Sequence, residues 1–384
     1  MKSNIVYFKN GSWNGLDNFE HKKSDVQIVI VFAERSLLEN NILLNTLKEN
    51  FINANVLTCS TAGEINNKEV EDNTAVCVAI SFEKTKYNFT KGNIVEHKNS
   101  FELGKSVAAQ LPAKDLKYIF VISDGGLVNG DELITGIQSV IDDSVLISGG
   151  MAGDGSNFQK TLVGLDEDIK IGNVVLMGLY GNHIKVGTGF NGGWDVFGPE
   201  RVITKSEGNV LFEIDNESAL GLYKKYLGKY ADGLPASALL FPITIKSENN
   251  DFFIVRTILS VDEKNKTMTF AGNLPQGSTV RFMKSNFDRL IEAASDAGKT
   301  ATDNLGNNIP AELAIIVSCV GRKLILMDRI DEEVEAAFDN ITSGATVAGF
   351  FSYGEIAPEK TNKISHFSHL HNQTITITTF SELP

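Results

Sequence analysis

The sequence predicts a fold between α/β and α+β, with mixed β-sheets flanked by helices and two related halves packed closely together. Three observations lead to this prediction. Short, continuously apolar segments alternate with amphipathic ones, which is typical of sheets covered by helices. The order strand, helix, strand, small-residue turn occurs three times. The remaining segments read as short strands separated by turns, so the sheets are expected to be mixed.

The first repeat begins at the apolar run 26–32 and ends in the small-residue segment 59–65. Between them, Leu43, Leu47 and Phe51 recur at helical spacing, as on the buried face of an amphipathic helix. The repeat therefore has the length of a strand–helix–strand unit, roughly 30 residues.

The second repeat begins at 118–122 and ends in the glycine-rich turn 148–153. Its intervening segment carries Leu133, Ile134 and Ile137, which share one helical face. The same strand–helix–strand order is predicted here.

The third repeat begins at 313–317, and Val334 and Phe338 mark its helix. It closes on Gly-Glu-Ile at 354–356, as the first repeat does at 63–65. This agreement favours an internal duplication. We therefore predict an N-terminal domain, 1–216, and a C-terminal domain, 217–384.

Composition narrows the class of protein. The 384 residues include 35 basic and 48 acidic side chains, a net charge of −13. Nucleic acids and anionic membranes are poor partners for such a chain, because phosphate binding needs a concentrated cationic surface. No apolar run reaches the roughly 20 residues of a spanning helix, and no signal peptide is evident. We expect a soluble, cytoplasmic protein with three free cysteines.

Signatures of catalysis are missing from the sequence. Neither a phosphate-binding loop nor a dinucleotide fingerprint is present, since Gly150, Gly153 and Gly155 have the wrong spacing. We predict a protein that is not an enzyme. The minor alternative is a thiol-dependent hydrolase that uses Cys59 or Cys319 with a distant histidine.

Histidines near the C-terminus are the one cluster with metal-like character. In an extended strand His369 and His371 would share a face, and His366 would oppose them. Two histidines make a weak metal site, so no metal is predicted. A single histidine can ligate haem iron, and His371, His369 and His183 are the candidates for that alternative.

Six short motifs lie along the chain: 59–65 (CSTAGEI), 123–125 (SDG) followed by 129–130 (NG), 148–154 (SGGMAGD), 318–322 (SCVGR), 349–356 (GFFSYGEI) and 371–374 (HNQT). Together they resemble the FIST family, whose two parts are the FIST N and FIST C domains. No single motif is decisive, but their order makes the resemblance specific, and it covers about residues 25–380.

The resemblance implies a bacterial sensory module for signal transduction that binds a small molecule, with amino acids as the usual suggestion. Some family members resemble haem-based nitric-oxide sensors, which is the alternative function. We expect no output domain within these 384 residues. The expected partner is therefore a separate protein such as a histidine kinase, a cyclic-dinucleotide enzyme or a chemotaxis receptor.

Small-residue turns at strand ends would let a ligand approach the backbone at the carboxyl edge of the sheets. Arg322 follows a buried strand, where its guanidinium could clamp a carboxylate, and Arg256 is a second candidate. Acidic side chains could receive an ammonium group. The candidate ligand-binding residues are Arg322, Tyr353, Glu355, Arg256, Cys59, Ser60, Gly149, Gly150, Asp154, His371 and Asn372.

Each of these residues also has a structural interpretation. The glycines could serve turns that need positive φ, the cysteines could be small buried hydrophobes, and Arg322 could form a surface ion pair. A scaffold for a kinase partner, without any ligand, is a further alternative, and a closed interior would favour it.

Overall fold

The chain folds into three units of one design and an inserted domain. The structure is a computed structural model and describes residues 1–17, 19, 21–40, 42–234, 236–246, 253–306, 308–358 and 367–384. Within this described part, no helix is both long and apolar enough to span a membrane.

Unit one is a sheet with helices against one face. Along its central strand, Ile28 and Ile30 enter one apolar core while Val29 and Val31 enter another, because successive side chains of a strand point to opposite faces. Its strands are β1 (Lys2–Lys9), β2 (Ser12–Asn14), β3 (Ile28–Ala33), β4 (Asn55–Ser60), β5 (Glu64–Asn66), β6 (Glu69–Glu71) and β7 (Ala75–Ser81), and its helices are α1 (Arg35–Glu39) and α2 (Ile42–Asn50).

Unit two repeats the arrangement. Its helices begin at asparagines: the side chains of Asn99 and Asn129 accept from the backbone N–H groups of Glu102 and Glu132, which satisfies otherwise unpaired donors. The elements are β8 (Lys86–Asn93), α3 (Ser100–Ala108), β9 (Leu116–Ser123), α4 (Gly130–Gln138), β10 (Leu146–Met151), β11 (Val163–Leu165), β12 (Asp168–Lys170) and β13 (Asn173–Tyr180).

The inserted domain, residues 195–284, follows the first strand of unit three, β14 (Ile184–Asn191). It has an apolar core of its own that includes Tyr223, Phe270 and Phe282. Its elements are β15 (Asp195–Glu207), β16 (Val210–Ile214), β17 (Glu217–Ser218), α5 (Ala219–Leu227), β18 (Ile243–Lys246), β19 (Phe253–Arg256), β20 (Ile258–Asp262), β21 (Thr267–Phe270) and β22 (Thr279–Lys284).

Unit three resumes after the insertion. The side chain of Asn286 caps its first helix by accepting from the Arg289 N–H group. The remaining elements are α6 (Phe287–Leu305), β23 (Leu313–Cys319), α7 (Val320–Leu326), α8 (Ile330–Phe338), β24 (Thr346–Ser352), β25 (Gly354–Pro358), β26 (Ser368–His371) and β27 (Ile375–Glu382).

The three units share a six-strand order, to which β2 adds an edge strand in unit one. In each sheet two antiparallel strands follow a parallel pair on one side. On the other side of the pair, a hairpin from another unit forms the edge of the sheet. The orders are β12-β11-β4-β3-β7-β1-β2, β26-β25-β10-β9-β13-β8 and β6-β5-β24-β23-β27-β14. The hairpins are exchanged cyclically, from unit one to three, from three to two and from two to one.

The inner faces of the three sheets meet in one central core. Phe32, Phe120 and Val317, one from each unit, belong to it, and the rings of Phe32 and Phe350 stack with centroids 4.9 Å apart. Helices cover the three outer faces, each over a separate apolar cluster.

The predicted fold class is confirmed, because mixed sheets are flanked by helices. The N-terminal half holds units one and two and the C-terminal half completes unit three, so the halves are related in design and exchange strands. The sequence-based boundary between 216 and 217 falls between β16 and β17, two strands that pair with each other inside the inserted domain.

Candidate functional site

The carboxyl ends of the parallel strands converge because backbone hydrogen bonds join the units in a ring. The N–H group of Ala62 donates to the carbonyl of Phe351 over 2.8 Å, that of Tyr353 to Met151 over 3.1 Å, and that of Gly153 to Ser60 over 2.9 Å. Each donor follows the second strand of a parallel pair, β4, β24 or β10, and each acceptor lies at the end of the equivalent strand of another unit.

A cavity of about 540 Å³ opens beside this ring. Unit two contributes Gly125 and Phe158, and unit three contributes Cys319–Gly321, Leu324, Tyr353 and Asn372. The inserted domain closes the other side with residues that include Leu234, Thr257–Leu259 and Ala271. The cavity therefore lies at strand ends, between the three-unit body and the inserted domain, which is a common position for a ligand site.

Two polar side chains in the cavity wall have no hydrogen-bond partner. Asn372 is 1% exposed, and both its Nδ2 and its Oδ1 are buried and unpaired. On the facing inserted domain, the Oγ1 of Thr257 is also buried and unpaired. A buried polar atom without a partner costs about 1–3 kcal/mol. All three atoms are closed off from the open cavity, so a molecule there would reach them only after a side chain moves.

Tyr353 forms part of the cavity wall and is held in place by its hydroxyl. That hydroxyl donates to the carboxylate of Asp154 and accepts from the N–H groups of Asp154 and Phe158, each over 3.1 Å. The rings of Tyr353 and Phe158 stack with centroids 4.6 Å apart. Burial raises the pKa of Tyr353, so the hydroxyl stays protonated.

Asp154 supports this wall from behind. Its carboxylate accepts from the N–H groups of Gln159 and Lys160 over 3.1 and 2.9 Å, and Arg35 of unit one lies 3.4 Å away. These contacts fix the loop that carries Phe158, a residue with a φ of 53°.

Glu355 is fully buried and lies outside the cavity lining. Its carboxylate accepts from the hydroxyl of Ser352 over 2.6 Å, and from the N–H and hydroxyl groups of Thr374 over 3.2 and 2.9 Å. Burial raises its pKa to about 8. The side chain anchors the start of β27 to the turn after β24.

Arg322 does not line the cavity either. Its side chain is fully buried, and its Nε donates to Glu333 over 2.6 Å. The other guanidinium nitrogens donate to the carbonyls of Gly192, Leu290 and Gln373. Each of its three nitrogens donates to the protein and the side chain is fully buried, so the carboxylate clamp expected from the sequence is not presented to the cavity.

Arg256 joins the inserted domain to unit two. Its Nη2 donates to both carboxylate oxygens of Asp131 over 2.8 Å, and its Nη1 donates to the carbonyl of Leu370 over 2.9 Å. This charge-assisted pair positions the neighbouring Thr257 at the cavity.

The small residues predicted as ligand contacts lie within the protein. Gly149 and Gly150 are part of β10, and a Cβ on Gly149 would be 1.9 Å from the carbonyl oxygen of Val121. The hydroxyl of Ser60 donates to the carbonyl of Gly153. Cys59 belongs to the central core.

The thiols lack the properties of nucleophiles. Burial raises the pKa of Cys59 and of Cys319, whereas a reactive cysteine needs a lowered one. Cys319 is the thiol at the cavity wall.

The candidate histidines occupy two places: the rings of His369 and His371 have centroids 6.3 Å apart, whereas His183 lies beside Leu383. His371 is buried with its ring 4.5 Å from that of Phe190, and burial lowers its pKa to about 3. His183 lies 3.2 Å from the carbonyl of Leu383. His369 lines a surface groove, and His366 lies outside the described residues. Across the described ranges, no group of three or more His, Cys, Asp or Glu side chains could hold a metal ion.

The structure thus brings Tyr353 and Asn372 together at the cavity, with Asp154 behind them. Sequence reasoning missed Thr257 and Phe158. Thr257 adjoins Arg256 and lies between β19 and β20, so that candidate is next to a cavity residue. No sequence pattern marks Phe158, which reaches the cavity only because its loop crosses onto Tyr353.

The chain belongs to the FIST family. The family model described as the FIST N domain matches residues 27–217, and that described as the FIST C domain matches residues 219–358. The resemblance predicted from the motifs is confirmed. FIST domains are sensory domains implicated in signal transduction, and the family is generally non-catalytic.

Similar proteins add little about activity. An uncharacterised protein of Methanocaldococcus jannaschii is 23% identical over 90% of this chain and 73% of its own length. A crystal structure of cyanuric acid hydrolase from A. caulinodans is 7% identical and covers 100% of this chain and 99% of its own, with a TM-score of 0.34. The structure of PurLQS from Thermotoga maritima is 6% identical and covers 84% of this chain and 74% of its own, with a TM-score of 0.20. At these TM-scores neither structure bears on function.

Proposed function

We propose that the protein is a signal-transduction sensor that binds an uncharged small molecule in the cavity between units two and three and the inserted domain. The observation that carries the proposal is the cavity itself, which lies at the carboxyl ends of the parallel strands and is lined by both the three-unit body and the inserted domain. The volume of about 540 Å³ lies in the range of small-molecule sites, about 300–1,000 Å³.

A free amino acid, the ligand class suggested by the family resemblance, fits this wall less well. A zwitterion needs a partner for its carboxylate and another for its ammonium group. The described residues that line the cavity include no charged side chain. Arg322 and Glu355 are nearby in sequence, but both are buried and engaged elsewhere.

A ligand in the cavity would contact both the inserted domain and the three-unit body. Binding that bridges the two favours the docked position of the domain, because a ligand stabilises the state in which it makes more contacts. A separate signalling protein, such as a histidine kinase, a cyclic-dinucleotide enzyme or a chemotaxis receptor, would detect the docked state. The proposal includes no catalytic step and no cofactor.

The test is a thermal-shift screen of uncharged small molecules and amino acids against the wild type and two variants. In Ala271→Trp the indole occupies the cavity, because Ala271 is a small residue in its wall. Ala113→Trp is the matched control, since Ala113 is exposed and precedes β9 at the opposite end of its sheet.

We expect compounds that raise the Tm of the wild type and of Ala113→Trp but not that of Ala271→Trp. Compounds that bind all three proteins equally would place the ligand site elsewhere. A screen without a single hit would favour the scaffold alternative. Haem, the cofactor alternative, is tested by the visible spectrum of protein reconstituted with haem: a Soret band lost on replacing His371, His369 or His183 would support it.

A further inference from the structure

We propose that the ligand is a neutral compound with an aromatic ring that stacks on Phe158, and that apolar contacts rather than hydrogen bonds to side chains hold it in the cavity. This inference rests on the proposed function, because it names the chemical class that the cavity takes. Two observations carry it. The polar side-chain atoms of the wall are closed off or engaged, and an exposed aromatic ring lies at the cavity.

The lining side chains offer a ligand almost no hydrogen-bonding group. Among the described lining residues, only Thr257, Tyr353 and Asn372 carry a side-chain nitrogen or oxygen. Those atoms of Thr257 and Asn372 are buried behind the wall, and the hydroxyl of Tyr353 donates to Asp154 and accepts from two N–H groups. A polar ligand would lose its hydrogen bonds with water and gain no side-chain partner in return.

Aliphatic side chains form much of the wall on both sides. The inserted domain contributes Ile258 and Leu259, and unit three contributes Val320 and Leu324. Leu259 is 48% exposed, so a ligand that covers it removes apolar surface from water. No charged side chain is found among the lining residues that the structure describes, and a charged group on the ligand would be buried without a partner. The wall therefore selects a neutral, apolar body.

Phe158 is the aromatic ring available for stacking. It lines the cavity and is nevertheless 52% exposed. Its ring stacks on that of Tyr353 with an interplanar angle of 20° and centroids 4.6 Å apart, which leaves the opposite face of the ring for a ligand. A third ring on that face continues an arrangement that aromatic side chains favour.

The backbone holds Phe158 in place against its own preference. Its φ of 53° lies in the left-handed region, where a bulky side chain is an outlier. The N–H group of Phe158 donates to the hydroxyl of Tyr353, and those of Gln159 and Lys160 donate to the carboxylate of Asp154. These bonds impose the conformation. A mostly exposed ring gains little from packing in a core, so contact with a ligand explains its position better.

Three probes built on two fused rings test the inference by isothermal titration of the full chain at pH 7. 2-Naphthol is aromatic and neutral, decahydro-2-naphthol has the same heavy atoms in saturated rings, and naphthalene-2-sulfonate is aromatic and charged. We expect the wild type to bind 2-naphthol about fivefold more tightly than the saturated probe, or about 1 kcal/mol. It should bind 2-naphthol at least about tenfold more tightly than the sulfonate, or about 1.4 kcal/mol.

Phe158→Leu is the variant that removes the ring and keeps an apolar side chain. It should bind 2-naphthol and decahydro-2-naphthol with affinities within about twofold of each other, because the stacking contribution is lost. Phe158→Gly is the second variant, since glycine adopts a positive φ without strain, and it should lose the same preference. Phe287→Leu is the matched control: Phe287 is 41% exposed at the start of α6, outside the cavity lining, so this variant should keep the preference.

The outcomes separate the ligand class from the site. If decahydro-2-naphthol binds the wild type as tightly as 2-naphthol does, or if Phe158→Leu keeps the preference, the aromatic class is wrong and the small-molecule site stands. Equally tight binding of the sulfonate would overturn the neutral class.

The variant Ala271→Trp, whose indole fills the cavity, should bind none of the probes. Unchanged binding to it would overturn the inference, because the probes would then bind elsewhere. If no probe binds the wild type, the inference fails, and the thermal-shift screen decides the proposed function independently.

Discussion

Two buried glutamates occupy equivalent places in units one and three. Glu64 accepts from the N–H and hydroxyl groups of Thr74, as Glu355 does from those of Thr374. Each also accepts from a hydroxyl three residues earlier, on Thr61 or Ser352. In both units the carboxylate ties the turn after the parallel pair to the next antiparallel strand, without a salt bridge.

This arrangement predicts a pH dependence of stability. Burial raises the pKa of Glu355 from 4.5 to about 8 and that of Glu64 from 4.5 to about 7. The folded protein therefore holds protons that the unfolded chain has released. The stabilisation is complete below pH 4.5 and is lost as the pH rises towards 8. Glu355→Gln keeps the size of the side chain and does not titrate.

We expect the free energy of unfolding of Glu355→Gln to gain on that of the wild type between pH 5 and 8.5, by about 2 kcal/mol. Urea denaturation of both proteins at several pH values measures the difference. His371 contributes with the opposite sign, because burial lowers its pKa to about 3, but it is common to both proteins. A difference that stays constant with pH would show that Glu355 titrates normally.

At the scale of elements, the exchange of hairpins links the units. β25 pairs with β10 through the register of Gly149 with Ile356, and β5 pairs with β24 through Gly349 with Ile65. The two glycines are equivalent, and both pack tightly. A Cβ would lie 1.9 Å from the carbonyl oxygen of Val121 at Gly149, and 1.9 Å from that of Ile316 at Gly349.

Alanine at either glycine should push the parallel strands apart. We expect Gly149→Ala and Gly349→Ala each to lower the free energy of unfolding by about 3 kcal/mol, measured by urea denaturation. Gly221→Ala in α5 is the control: its added Cβ would meet nothing closer than 3.4 Å, and helix propensity predicts a gain of up to about 1 kcal/mol. Equal stability of all three variants would mean that the strands can separate freely.

At the scale of the whole molecule, the inserted domain is docked onto the three-unit body by a few polar contacts. Arg256 and Asp131 form a largely buried ion pair, and the N–H group of Asn273 donates to the same carboxylate over 2.7 Å. The indole N–H of Trp194 donates to the carbonyl of Gln373 near the domain boundary. These contacts determine whether Thr257 faces the cavity.

Removing the ion pair should release the domain. We expect Arg256→Ala to cost about 3 kcal/mol or more, because Asp131 remains partly buried without its partner. The affinity for the ligand should also fall, because the inserted domain forms one side of the cavity. Hydrogen exchange around 257–259 should become faster while exchange in the central core stays slow.

Lys224→Ala is the control for this change. Lys224 pairs with Glu263 in an exposed position of the same domain, so its loss should cost less than about 1 kcal/mol. Unchanged exchange at 257–259 in Arg256→Ala would show that other contacts hold the domain.

The sequence by itself determined the elements, their repetition and the family. Periodicity located the parallel strands and their helices, because burial of one face imposes a pattern on neighbouring residues. Tyr353 and Asn372 were also found from the motifs. The sequence did not predict that these two residues form a cavity wall, because the rest of that wall includes Thr257 and Phe158, which are distant in sequence.

Only the tertiary structure decided which polar residues are free. Arg322 and Glu355 are of the types that bind amino acids, yet their partners Glu333 and Thr374 satisfy them inside the protein. Asn372 is the reverse case, a common turn residue left unpaired at a cavity. A hydrogen bond depends on the distance between two atoms in space. The exchange of hairpins and the docking of the inserted domain decide those distances, because they bring together segments that no local sequence pattern relates.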